Sequence, residues 1–292
     1  MNERMERSRR AVEQTLRRRY EERRDEGRAG REASGKPGVV RAVSPEEREA
    51  LARTEKGLGY FAASKYAEAV KEYREALRLW PKLASAHNNL GSAYFALGRY
   101  EEAAAAFRQA FGVEPNYGQA HLNLALVYLK LGREHEAGEA LTAAARAYFA
   151  TGEEQIKAGR REEAEATFKE LLRLDPQYPP AHLRLGALHY AAGRYAEAAT
   201  AFASVARAQP DNAYAHEGLA AAYLGLRRYT EAAAAAERAC KLSPDEPGAY
   251  YFAGLAYAAL GRRAEARALC DKLKALHADA EAQLLADEIE RP

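Results

Sequence analysis

One spacing governs what this chain can fold into. Prolines that precede amphipathic stretches stand at Pro81, Pro115, Pro176, Pro210 and Pro244, at intervals of 34, 61, 34 and 34 residues. The long interval is one full period followed by one of 27, so a proline is absent and one period is seven residues short. Other columns keep the same ruler. Glycine recurs at Gly57, Gly91, Gly152, Gly186 and Gly254, with Ala125 and Ala220 in the two vacancies. Tyrosine follows three residues later at Tyr60, Tyr94, Tyr128, Tyr223 and Tyr257, where Gln155 and His189 depart. Alanine is unbroken at Ala69, Ala103, Ala137, Ala164, Ala198, Ala232 and Ala266. The columns count seven copies of one unit. Length alone suggests one or two domains for 292 residues, but a repeat overrides that estimate, because each copy buries its apolar face against the next.

Inside each unit a bulky residue stands four places after the alanine in most copies, as Tyr73, Phe107, Leu141, Phe168 and Phe202, and shrinks to Ala236 and Cys270 in the last two. A glycine turn separates the halves at Gly98, Gly132, Gly159, Gly193 and Gly261. Apolar spacing of three and four on both sides of a glycine stop predicts two antiparallel helices. Small residues at fixed places let helix axes approach within the usual 8 to 10 Å, and the aromatic column fills the space left.

These columns resemble the tetratricopeptide repeat family, whose 34-residue helix-turn-helix pattern carries Leu-Gly, Tyr, Ala, aromatic and Pro positions. The resemblance covers about residues 46–276. Trp80, the only tryptophan, lies just before Pro81 and not in the family's early aromatic column. The expected fold is all-α: a solenoid of seven repeats with a C-terminal capping helix. A right-handed superhelix with a concave inner face is what the resemblance implies.

The ends carry their own signals. Ser44-Pro45-Glu46-Glu47 offers an N-cap, a proline at the first helical position and a glutamate at the third, which starts the array near residue 45. Ala278, Ala282, Leu285 and Ile289 share one helical face, predicting a solvated cap over 277–292. The short period falls between Ala137 and Gly152, in AGEALTAAARAYFATG, which lacks proline. Seven residues are nearly two helical turns, so their loss shifts facing by only about 20°. One fused helix near 134–158 is therefore expected, with a tight kink near 143–146 as the alternative. The array is expected to divide into repeats one to three over 44–144 and four to seven over 145–276.

Charge singles out the N-terminus. Residues 1–43 hold 13 Lys and Arg against 8 Asp and Glu, a net +5, although the whole chain is only +2. Arg9, Arg10, Arg17, Arg18, Arg19, Arg23 and Arg24 surround a thin stripe of Met5, Val12, Leu16 and Tyr20 at helical spacing. Gly27, Gly30, Gly35, Pro37 and Gly38 then read as linker. A basic, flexible or partly helical tail follows from this, with RNA, DNA or an anionic membrane surface as the partners its charge suits. Interspersed glutamates and the lack of an aromatic platform weaken that reading. MNERMERSRR has no apolar core of a secretory signal, and no window reaches the roughly 18 apolar residues of a membrane span, so a cytoplasmic location is expected.

Catalytic and metal chemistry find little footing. His87, His121, His182 and His216 occupy one column in four different copies. Neighbouring copies stand roughly 10 Å apart, whereas each ligand of a zinc ion approaches to about 2 Å, so the column reads as packing and no metal or other cofactor is expected. GxSxG, GxxxxGKS and HExxH are missing, and pairs such as Glu101-Glu102 and Glu162-Glu163 fit solvated helix faces. Cys240 and Cys270, without a CxxC, fit as small hydrophobes. An enzyme is not expected, nor a small-molecule substrate.

The resemblance implies where a ligand would sit. In peptide-binding members, asparagines two residues before the Gly/Ala column hold the backbone of an extended ligand with their amides. The matching places are Glu55, Asn89, Asn123, Ala150, Arg184, Gly218 and Phe252. Chaperone-binding members grip a C-terminal carboxylate with a lysine, asparagine and arginine clamp. Asn88, Asn89, Asn123, Arg146 and Arg184 supply part of that chemistry, but Lys130 and Lys157 lie elsewhere on the first helices. Towards the later repeats the same face turns apolar, with Leu183, Tyr190, Tyr214, Leu224, Tyr251, Phe252 and Leu255. The expected peptide-binding residues are thus Asn88, Asn89, Asn123, Arg146, Arg184, Tyr190, Tyr214, Tyr251 and Phe252. The expected function is a scaffold for a protein or peptide partner; the alternative is an adaptor whose tail docks on nucleic acid or membrane while the repeats recruit a protein.

Overall fold

The computed structural model describes residues 44–290, which form fourteen helices and, among the described residues, no strand. In chain order they are α1 (Pro45–Ala62), α2 (Tyr66–Leu79), α3 (Ala84–Ala96), α4 (Tyr100–Val113), α5 (Gly118–Lys130), α6 (Glu134–Lys157), α7 (Arg161–Leu174), α8 (Pro179–Ala191), α9 (Tyr195–Ala208), α10 (Ala213–Gly225), α11 (Tyr229–Leu242), α12 (Pro247–Ala259), α13 (Arg263–Ala275) and α14 (Asp279–Glu290). The basic segment 1–43, and with it the tail reading and its anionic partners, lies outside the described residues.

Seven repeats and a cap would ordinarily give fifteen helices. The difference is α6, a single helix of 24 residues that holds both the alanine column at Ala137 and the glycine column at Gly152. At the array's start the Ser44 hydroxyl accepts from Glu47 N at 3.1 Å, and the Glu47 carboxylate accepts from Ser44 N at 2.9 Å, a reciprocal pair that satisfies two orphan donors of α1.

The helices group into two compact units, one ending at Ala158 and also taking in Arg173–Asp175, the other made of Gly159–Leu172 and the residues from Pro176 onward. In the first, α1 and α2, α3 and α4, and α5 and α6 pack as hairpins, and α1, α3 and α5 touch in sequence along one face. In the second, α8 and α9, α10 and α11, and α12 and α13 do the same, with α8, α10 and α12 side by side and α14 against both α12 and α13.

The glycine and aromatic columns explain each other. A Cβ on Gly57 would lie 2.5 Å from Tyr73, one on Gly91 2.6 Å from Phe107, and one on Gly186 2.8 Å from Phe202. Each ring is buried against the first helix of its own repeat at the point where that helix has no side chain. Where the glycine becomes Ala125 or Ala220, the facing residue is the smaller Leu141 or Ala236. Gly254 faces a shrunken column at Cys270, and the capping helix fills the vacancy: Leu285 comes within 2.2 Å of a Cβ placed there. Ala278, Ala282, Leu285 and Ile289 are all buried, so the face expected of the cap is the face that packs.

The turn between paired helices needs a left-handed residue, supplied by Gly98, Gly132, Gly159, Gly193 and Gly261 at φ of 72 to 75°. The arginine after it has a defined place. Arg99, Arg228 and Arg262 lie 4.6, 4.6 and 4.2 Å from the ring centres of Tyr94, Tyr223 and Tyr257, and each also pairs with a glutamate three residues on. The tyrosine column thereby anchors both the turn and, through Arg108 to Tyr128 at 2.7 Å and Tyr257 to Glu237, the second helix of the preceding repeat.

Candidate functional site

The first unit carries a chain of amides along its first helices. Asn88 of α3 is wholly buried and Asn89 is 9% exposed, as is Asn123 of α5 at 7%. Asn123 Nδ2 donates to Asn88 Oδ1 at 2.9 Å, Gln119 Nε2 donates to Asn123 Oδ1 at 2.8 Å, and the Tyr148 hydroxyl of α6 lies 3.5 Å from Gln119 Oε1. Burying an unpaired amide costs about 1–3 kcal/mol, which is why such groups chain together. The Asn88 Nδ2 end is buried and makes no hydrogen bond. Asn88 is closed to solvent, and its side chain is bonded through Oδ1 to Asn123. Arg146, at the register of Gln119 in the following repeat, is exposed on α6.

In the second unit the expected residues are more open. Arg184 of α8 is exposed; Tyr190 and Tyr214 are 39% and 50% exposed. Tyr251 and Phe252 of α12 are half-buried with ring centres 5.8 Å apart, and Tyr214 and Phe202 form an edge-to-face pair with ring centres 6.3 Å apart. Burial, then the neighbouring phenols of Tyr195 and Tyr251, push the Tyr190 hydroxyl up from its ordinary value.

Sequence reading missed Glu217. It stands on α10 at the register of Asn88, half-buried, and burial followed by the charge of Glu246 pushes its carboxyl up. The other copies place Thr54, Asn88, Leu122, Phe149, Leu183 and Tyr251 there, so the available signal was a lone ionisable residue in an otherwise uncharged column.

The histidine column has a positive structural use. Nε2 of His87, His121, His182 and His216 lies 2.8, 3.2, 2.9 and 2.9 Å from the carbonyl of the proline six residues before it. A carbonyl only accepts, so each Nε2 carries a proton and the ring ties the inter-repeat loop to the first helix. Tyr250 does the same through its hydroxyl, 3.0 Å from the Pro244 carbonyl. Burial raises the Cys240 thiol to about 11, far from a thiolate at neutral pH, and Cys270 is buried; both are free. At the departure from the tyrosine column, His189 is buried with Nδ1 unbonded, and Arg194 turns from ring stacking to bond Glu165 at 3.1 Å. Among the described residues no helix is long and apolar enough to cross a membrane.

No curated protein matches the chain in sequence. Among solved structures it is similar to a chain of the Cut9–Hcn1 hetero-tetramer of the APC/C, at 16% identity and a TM-score of 0.46, covering 86% of this chain and 57% of that one. A tetratricopeptide repeat protein from Parabacteroides merdae is 19% identical, covered over 84% and 100% of the two chains, with a TM-score of 0.41. YrrB, described as a TPR protein with an unusual peptide-binding site, is 20% identical over 61% of this chain and 95% of its own, with a TM-score of 0.35. Models described as TPR repeat match residues 57–98 and 91–132, and models described as tetratricopeptide repeat match 155–222 and 217–281. Together with the packed columns, these family models make the chain a member of the tetratricopeptide repeat family.

Proposed function

We propose that this protein is a noncatalytic binding scaffold whose first helices receive a peptide, or an extended segment of another protein. The observation that carries the reading is the surface state of the first helices in the second unit. Tyr190 and Tyr214 hold 39% and 50% of their surface in solvent on helices that pack side by side. Large aromatic rings left open on a packed face are what a partner's side chains bury most profitably. In the first unit, Asn89 and Asn123 keep a few per cent of their surface open at the matching register, and the amide chain behind Asn123 fixes its orientation.

The test is capture of a partner by the full-length protein, with bound proteins identified by mass spectrometry. Tyr190→Ala with Tyr214→Ala is expected to deplete the wild-type set, and Asn89→Ala with Asn123→Ala to weaken it, while helical circular dichroism is retained. A set unchanged by both folded double variants would sink the reading. Steady turnover of a substrate by the purified chain would displace it as well.

A further inference from the structure

The places that hold amides in the second and third repeats hold other residues in the sixth and seventh. Asn88 meets Asn123, and Asn123 meets Gln119. Two repeats into the second unit, Glu217 takes the place of Asn88, Phe252 that of Asn123, and Gly248 that of Gln119. A donor has become a phenyl ring, and a second donor has become a glycine. The glycine leaves room that the carboxylate occupies, since a Cβ on Gly248 would lie 2.3 Å from Glu217 Oε1. Glu217 makes no hydrogen bond or ion pair among the described residues, and the charge that acts on it is another carboxylate, Glu246. Tyr214, one helical turn earlier on the same face of α10, is half exposed.

A half-buried carboxylate without a donor is costly on its own and gains most from a cation brought to it, because the pair forms where water screens poorly. Open tyrosine beside it adds attraction for the same charge through the ring face. Resting on the scaffold reading above, we infer that Glu217, with Tyr214 one turn before it, is the specificity position of the second unit and receives one lysine or arginine side chain of the bound segment. The occupant is fixed by charge: Glu246 adds its negative charge to that of Glu217, and no cation among the described residues pairs with Glu217.

A random-peptide phage library selected on the full-length protein reads this directly. Wild type is expected to enrich peptides with a lysine or arginine at one fixed position. A synthetic peptide from that set is expected to lose about 10- to 100-fold in affinity, by fluorescence anisotropy, when the basic residue becomes norleucine. Glu217→Gln should abolish that discrimination while still binding the norleucine peptide, and Glu217→Lys should enrich acidic residues at the same position. Peptides that depend on Tyr214 but show no basic position, or a basic preference that survives Glu217→Gln, would overturn the inference and leave the scaffold reading standing. A selection that returns nothing sensitive to Tyr190→Ala or Tyr214→Ala overturns both.

Discussion

Two glycines in one helix make opposite forecasts. Gly57 and Gly59 both lie inside α1, and alanine in place of either gains about 1 kcal/mol of helix propensity. Gly59 is open, with nothing within 4 Å of an added Cβ. At Gly57 the same methyl would stand 2.5 Å from Tyr73 Cε1 and 2.8 Å from Cδ1, against an ordinary carbon contact of about 3.5–4.0 Å. The ring cannot step aside, because Tyr73 is fully buried between the two helices of its repeat. Overpacking of that kind costs about 1–3 kcal/mol. Gly59→Ala should therefore stabilise α1 by about 1 kcal/mol, and Gly57→Ala should fall below it by about 1–3 kcal/mol. Since both changes are the same substitution in the same helix, their difference removes the propensity contribution and isolates the overlap. Repeat arrays do not unfold as one unit, so the readout is native-state hydrogen exchange of the α1 amides beside a urea melt. Tyr73→Leu in the Gly57→Ala background should recover part of the loss, reproducing the Ala125 and Leu141 pairing found in the third repeat. A difference under about 0.5 kcal/mol between the two glycine variants would refute the argument that this contact dictates the column.

Three further outcomes follow from particular contacts. Arg227 holds a left-handed φ of 58° in the turn where five other repeats use glycine, so Arg227→Gly should raise stability by about 1 kcal/mol in a urea titration. His216→Ala removes the bond to the Pro210 carbonyl and should cost about 1 kcal/mol, whereas His216→Tyr should be nearly neutral, because Tyr250 already makes that bond one repeat later. The Arg194 hydrogen bond, helped by Lys169, holds the Glu165 carboxyl at about 2 against an ordinary 4.5. Its contribution is complete above pH 4.5 and disappears as pH falls through about 2, so Glu165→Gln should flatten that part of the acid-unfolding profile and change little of the slope at neutral pH.

The architecture was legible because its columns are enforced by shape. A buried ring at Phe107 admits only glycine at position 91, and a turn at φ 72° favours glycine at 98, so both appear in the sequence at fixed intervals. The pairing between columns was not legible. Gly, Tyr, Ala and aromatic positions announce themselves singly, while the rule that Gly91 faces Phe107, or that Arg99 lies over Tyr94, is a distance that needs coordinates. The histidine column shows the same limit: its regularity argued for packing, but only the bond to the proline carbonyl says what is being packed.

Binding residues are harder to read, because one register does different work in different copies. Asn88 and Glu217 occupy the same place on their helices, yet one is closed to solvent with its carbonyl end bonded and the other is half open without a donor. What separates them is the identity of two residues on the next first helix, Asn123 and Gln119 in one case, Phe252 and Gly248 in the other. A polar residue in a repeat is therefore judged by its neighbour in the following copy, 31 to 35 positions along, before it is judged by its own chemistry. By that criterion Asn88, conspicuous as half of an Asn-Asn pair, serves the interior, and an unremarkable glutamate beside a glycine is the better candidate for reading a partner.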